Sequence, residues 1–221
     1  DEGIASSSGT AALYLGLKAL DVGPGDEVIL PTYVCRSVWD AIVQAGAKAV
    51  FCDISENWCV NADTVKPHIT EKTRAIIVVH IFGIVADIEP ICELGIPVIE
   101  DCCQAFGAQK SGKFLGSFGE LCILSFHATK LLATGEGGMA LSKNKELIEK
   151  IRYLKQGETK KLAVRYRATM TDLQAALGLS QLRKYQTFLE RRTEIANQYF
   201  DKMSDLPVKL PLSIRERSIF F

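Results

Sequence analysis

No stretch of this 221-residue chain is apolar for long enough to span a bilayer. Neither sign of charge is in excess. The 26 basic and 26 acidic residues cancel to a formal net charge of 0, which argues against nucleic acid or an anionic membrane as partner. The seven cysteines include no CxxC pair, so the usual spacing of a structural zinc site is missing and no metal is expected. No G-x-G-x-x-G follows the first strand-like run, which removes the main signal for a nicotinamide-binding Rossmann unit. The opening residues Asp1-Glu2-Gly3 do not resemble a signal peptide. Internal repeats and low-complexity segments are also lacking.

What is present suits a buried core. Hydrophobic residues make up 48% of the chain and mean hydropathy is +0.11, enough for one sizeable domain and part of a second. The cysteine count is odd and most of the cysteines lie in apolar runs, which reads as reduced, buried thiols of a cytoplasmic protein. Cys102 and Cys103 are adjacent and admit a redox reading, but two small residues packing behind a site are the simpler one.

Strand-like runs alternate with helical patterns up to about residue 125. The strands are expected at Glu27–Pro31, Ala47–Cys52, Ala75–His80, Pro97–Asp101 and Leu121–Ser125. Their continuous Val/Ile character predicts strands buried on both faces of a parallel sheet, hence an α/β fold. Helices are expected at Cys35–Ala45 and near Ile88–Leu94. After Gly138 comes a short strand, Met139–Ser142, then an amphipathic helix, Lys143–Leu154, and a basic loop over 157–167. A single long helix, Thr171–Met203, capped by Thr171, is predicted to link two domains. The boundaries are drawn at 1–165 and 166–221. The opening just before a glycine turn and the strand-like Ser218–Phe221 suggest a protein longer at both ends.

Four separated segments carry chemistry. Ser6-Ser7-Ser8-Gly9-Thr10 leads straight into an apolar-periodic helix, and exposed N–H groups at such a start bind phosphate. The same pattern also reads as a plain cap. Asp101 ends a buried strand in Val98-Ile99-Glu100-Asp101. Ligands of open α/β sheets collect outside those strand ends, and a carboxylate there holds a pyridine nitrogen protonated. Capping the next helix is the alternative. Lys130 follows the strand ending at Ser125 and precedes Gly135-Glu136-Gly137-Gly138. A lysine so placed, unlike the usual solvated one, serves as an amine nucleophile. Ser125 is a further phosphate ligand, and Tyr33 is an aromatic able to stack on a flat heterocycle or to pack at the rim. His80 ends a strand and reads as a structural histidine more readily than a catalytic one. The direction of His127 is open.

These segments resemble the DegT/DnrJ/EryC1/StrS sugar aminotransferases, within the fold-type I pyridoxal phosphate (PLP) enzymes. The resemblance rests on SSSGTAAL (6–13), GPGDEVILPTY (23–33), VVHIFG (78–83), IEDCCQAFGA (99–108), GSFGELCILSFHATK (116–130), GEGG (135–138) and MTDLQAALGLSQL (170–182). It implies the large domain of that fold, three-layered around a mostly parallel sheet, followed by the start of a smaller C-terminal domain. By the same resemblance Lys130 holds the cofactor as a Schiff base and Asp101 meets the pyridine nitrogen. Gln104 lies near the ring hydroxyl, Gly9, Thr10 and Ser125 bind the phosphate, and Tyr33 stacks on the ring. It further implies transfer of an amino group, from glutamate as donor, to the keto group of a nucleotide-linked sugar. The expected assembly is a homodimer with a shared active site. Two departures stand out: Arg167 occupies a place where the family often has asparagine, and Leu131 replaces an asparagine after the lysine. The rival readings are a non-catalytic homologue that keeps the fold and a sugar dehydratase, in which histidine replaces the lysine.

Overall fold

The computed structural model describes residues 2–156 and 165–208. Its elements run β1 (Glu2–Ser6), α1 (Gly9–Ala19), β2 (Glu27–Pro31), α2 (Arg36–Ala45), β3 (Lys48–Cys52), α3 (Ala62–Val65), β4 (Thr73–Val79), α4 (Glu89–Cys92) and β5 (Val98–Asp101). Then come β6 (Gln109–Lys110), β7 (Lys113–Phe114), β8 (Leu121–Ser125), β9 (Gly138–Ser142), α5 (Lys145–Gln156), α6 (Asp172–Leu182) and α7 (Tyr185–Met203). Seven strands form one sheet in the order β1-β9-β8-β5-β4-β2-β3. From β8 to β3 every pairing is parallel, while β9 and β1 are antiparallel additions at one edge. The expected α/β architecture with a mostly parallel sheet is therefore present.

The Val/Ile runs explain this sheet. Val28, Ile29 and Leu30 of β2 and Ile76, Ile77 and Val78 of β4 are fully buried, as strands covered on both faces require. α1 packs against α2 and α5 and lies over β8 and β9. Among the described residues no helix is long and apolar enough to cross a membrane.

One sequence expectation needs revision, and two elements went unread. The single helix over Thr171–Met203 is two helices, α6 and α7, separated at Arg183 and Lys184, where the Lys184 N–H donates to the Gln181 carbonyl three residues back at 2.9 Å. The break lets Tyr185 turn inward, where its hydroxyl donates to the carbonyl of Phe106 at 2.7 Å. The cap itself is as expected: Thr171 Oγ1 accepts from the Gln174 N–H at 3.3 Å, and Gln174 Oε1 accepts from the Thr171 N–H at 2.9 Å. The segment before the Ser7–Ser8 turn is a strand, since β1 pairs with β9 along its whole length. The small hairpin β6–β7 was not anticipated. Most of the expected basic loop, residues 157–164, and the strand-like end at 218–221 lie outside the described residues.

Candidate active site

The parallel strands deliver their C-terminal ends to one place, the position where open α/β sheets bind ligands. A cavity of about 430 Å3 lies there. It brings together six of the seven residues expected from sequence: Gly9, Thr10, Asp101, Gln104, Ser125 and Lys130. Tyr33 is not in its wall. The neighbouring Val34 and Cys35 are, while the Tyr33 ring meets Trp58 and Phe82 edge-on, with centroids 6.0 Å away in each case. Tyr33 thus takes part in an aromatic cluster beside the cavity. Arg167 is exposed and also outside the wall. Its neighbour Ala168 accepts from the Ser7 N–H at 2.8 Å, which fastens the Ser6–Ser8 turn.

Local chemistry accounts for each placement. Ser8 is the N-cap of α1: its hydroxyl accepts from the Ala11 N–H at 3.1 Å. The remaining N–H groups of the first turn are left for a ligand, with the positive end of the helix dipole behind them. Glycine is needed at two points of this cradle. A Cβ on Gly9 would stand 2.9 Å from Ser125 Cβ, and one on Gly138 would overlap the backbone of Ser8. The helix start, the end of β8 and the start of β9 thus converge closely, as an anion-binding nest requires.

Asp101 closes β5 and is buried, with 7% of its surface exposed. Its Oδ1 accepts from the Cys103 N–H at 3.0 Å. A turn follows Asp101 rather than a helix, so the helix-capping alternative does not describe it. Gln104 Oε1 accepts from the Phe82 N–H at 2.9 Å, which ties the end of β5 to the segment after β4. Cys103 belongs to the cavity wall, whereas Cys102 is buried behind it. Burial, and then the Asp101 carboxylate, pushes the Cys103 thiol up. A hydrogen bond with Cys122 and burial push up the Cys102 thiol. Both stay protonated, and all seven cysteines are free.

Behind Asp101 lies a node that sequence reasoning missed. Glu100 is fully buried, and its Oε1 accepts from the N–H groups of Phe118 and Gly119, each at 2.7 Å. Its Oε2 accepts from the Gly116 N–H at 2.7 Å and faces His80 Nε2 at 3.3 Å. His80 Nδ1 in turn accepts from the Ala86 N–H at 3.1 Å, which places the neutral ring's proton on Nε2. Burial alone would raise the Glu100 carboxyl. The His80 ring and the Gly119 and Gly116 N–H groups more than offset it and hold the carboxyl below the usual carboxylate range. His80 is therefore structural, as the simpler reading had it. His80, Glu100 and Cys102 come within 4.8 Å of one another, but the Glu100 oxygens and His80 Nδ1 already have hydrogen-bond partners. The pattern H…ED, with each residue at a strand end, was the available signal.

Lys130 rides on a tight excursion between β8 and β9. Phe126 N–H donates to Gly137, Ala128 N–H to Gly135 and Lys130 N–H to His127, at 2.8, 2.8 and 2.9 Å. The excursion also brings His127, Thr129 and Glu136 into the wall, three residues that sequence alone could not orient. An amine, a buried carboxylate and a glycine-lined anion cradle in one cavity fit a phosphorylated pyridine aldehyde. In such a fit the cradle would face the phosphate, Asp101 the ring nitrogen and Lys130 the aldehyde.

Comparison with known proteins agrees with this geometry. The chain matches the DegT/DnrJ/EryC1/StrS aminotransferase family over residues 1–219. It is 39% identical over 215 residues to a GDP-perosamine synthase of Escherichia coli O157:H7, covering 90% of this chain and 58% of that protein. It is 35% identical over 219 residues to a UDP-N-acetyl-3-dehydro-alpha-D-glucosamine 3-aminotransferase of Acidithiobacillus ferrooxidans, covering 95% and 59%. The PLP-form of Spr1654 from Streptococcus pneumoniae superposes with a TM-score of 0.91 at 30% identity, over 99% of this chain and 64% of that one. The chain therefore spans somewhat under two thirds of the length of these relatives. With sequence and fold agreeing along almost all of its length, the chain belongs to the DegT/DnrJ/EryC1/StrS aminotransferase family.

Proposed function

We propose that this chain forms the cofactor-binding part of a PLP-dependent aminotransferase, which moves an amino group from glutamate to the keto group of a nucleotide-linked sugar. The observation that carries the proposal is the meeting of Lys130, Asp101 and the Gly9–Thr10–Ser125 cradle in one cavity. When bound, PLP supplies an electron sink, which draws charge from a substrate carbon as its proton leaves. In this reading the N–H groups at Gly9 and Thr10 and the Ser125 hydroxyl bind the phosphate. The Asp101 carboxylate keeps a proton on the ring nitrogen, and its burial keeps water from competing for that proton. Lys130 Nζ anchors the cofactor. Its amine would also take the proton from the donor's α-carbon and return it on the other side of the transfer. A lysine at position 130 speaks against the dehydratase reading, which calls for histidine there.

The names of the relatives, one GDP-linked and one UDP-linked, support a nucleotide-linked sugar as acceptor. Glutamate as donor rests on the family resemblance. A homodimer is supported by α6, which buries none of its residues within one chain: Leu173, Leu179 and Leu182 are 85%, 63% and 50% exposed. A cytoplasmic location fits both the substrate class and the unpaired cysteines.

The test uses the full-length protein. Added PLP should give a visible absorbance band, borohydride should fix the label on Lys130, and Lys130→Ala should abolish both. Glutamate should then shift the band to that of the amine form, and a nucleotide-linked keto-sugar should restore it. A label on another lysine, or no band, refutes the proposal.

A further inference from the structure

We propose that His127 and Glu136 read the sugar, binding one of its ring hydroxyls between them; this rests on the aminotransferase reading above. Both residues line the cavity that holds Lys130. Their side chains are 46% and 58% exposed, so they stand on its open side, where a ligand arriving from solvent is met. The protein has already fixed the polarity of the pair. His127 Nδ1 accepts from the Thr129 N–H at 3.3 Å and lies 2.9 Å from Thr129 Oγ1. With Nδ1 acting as an acceptor, the neutral ring carries its proton on Nε2.

That Nε2 faces Glu136 Oε1 at 3.7 Å, beyond the length of a good hydrogen bond. The donor and the acceptor thus face each other across a gap that neither closes. A phosphate offers only acceptors and is repelled by the carboxylate, and an ammonium has no acceptor for the Nε2 proton. A hydroxyl accepts and donates at once, so it satisfies both sides. The backbone holds the two residues opposite each other. The Phe126–Gly137 and Ala128–Gly135 hydrogen bonds, 2.8 Å each, bracket the two residues. The Thr134 hydroxyl donates to the Glu136 carbonyl at 2.6 Å and holds the second residue in place. Lys130 hangs from the same turn, through its N–H to the His127 carbonyl at 2.9 Å. Reading a sugar hydroxyl and presenting the amine are then tasks of one rigid segment.

The experiment compares two affinities in the full-length protein, both measured by calorimetry. One is for PLP. The other is for nucleotide-linked sugars, with GDP-perosamine and UDP-N-acetyl-3-dehydro-glucosamine as the probes. His127→Ala and Glu136→Gln should each weaken sugar binding about tenfold more than PLP binding, the worth of one hydrogen bond to a neutral group. His127→Gln, which keeps an N–H donor, should recover part of the loss. Should His127→Ala fail to fold, Glu136→Gln decides alone, being a change at an exposed carboxylate. Equal weakening of both ligands, or no loss for the sugar, overturns the proposal. A wild type that takes PLP and glutamate but binds neither sugar also overturns it, and leaves the transaminase reading intact. Absence of a PLP band in the wild type is instead the failure of that reading.

Discussion

Replacing Glu100 by glutamine tests how much the buried node behind the site contributes. The carboxylate accepts three backbone N–H groups at 2.7 Å and faces the His80 Nε2 proton at 3.3 Å. An amide retains one acceptor. If its oxygen serves Phe118 and Gly119, its NH2 is turned on the Gly116 N–H and on His80 Nε2. The imidazole cannot change tautomer to accept it, because Nδ1 is engaged by Ala86. Charge-assisted bonds are lost and buried donors are left facing donors, for a cost of roughly 3–5 kcal/mol. Against a typical stability of about 5–15 kcal/mol this is a large fraction. Urea denaturation of wild type and Glu100→Gln near neutral pH should show a lower midpoint with an unchanged slope. The pH dependence has a definite sign. The folded carboxyl is held below its ordinary value. Its contribution is therefore present above the unfolded pKa of about 4.3 and is lost as pH falls through the folded one. The gap between the two proteins should narrow on acidification below about pH 4. A difference under about 1 kcal/mol at neutral pH, or a gap that widens in acid, would refute this account of the node.

Gly9→Ala should lower PLP affinity by about tenfold, since overpacking of this kind costs roughly 1–3 kcal/mol and the new Cβ would lie 2.9 Å from Ser125 Cβ. Titration of the cofactor's absorbance measures it, and unchanged affinity would show that the cradle has room to spare. Tyr185→Phe removes the 2.7 Å bond to the Phe106 carbonyl and should destabilise by about 1 kcal/mol in a urea titration. Leu173→Glu with Leu177→Glu touches side chains that are 85% and 43% exposed, so it should convert a dimer to a monomer in light scattering with little loss of helix. A dimer that persists places the subunit contact elsewhere.

The strands and the cavity were legible from sequence because both follow from local rules. Strands of four to seven residues built around Val and Ile mark double cover, as in β2, β4 and β5, and chemistry at their C-terminal ends follows from parallel topology. What escaped depends on tertiary contact. The break at Arg183–Lys184 has no glycine or proline to announce it, and it goes with the anchoring of Tyr185 on the turn after Asp101. Tyr33 sits where an aromatic was expected, yet its ring meets Trp58 and Phe82, 25 and 49 residues away in sequence. β1 gains its identity only from pairing with β9, more than 130 residues later. The orientation of His127 was undecidable because it is set by hydrogen bonds across the excursion that carries Lys130.

Adjacent carboxylates on β5 have opposite tasks because side chains alternate across a strand. Asp101 faces the cavity, while Glu100 points to the other side and gathers N–H groups from the segment after β7. The register that enforces this is fixed on both flanks, with Asp101 opposite Val79 of β4 and Ile123 of β8. A slip by one residue would exchange the two acids. Their lengths are matched to the tasks: the longer side chain spans to Gly116–Gly119, and the shorter one closes a turn onto Cys103. Two conservative variants should therefore separate. Glu100→Asp withdraws the carboxylate by one methylene and should lower the urea midpoint, with a smaller effect on PLP affinity. Asp101→Glu pushes a carboxylate further into the cavity and should weaken PLP binding by about tenfold or more, with a smaller effect on the midpoint. If both variants move the same observable by the same amount, the division of labour along β5 is wrong, and the two carboxylates act as one unit.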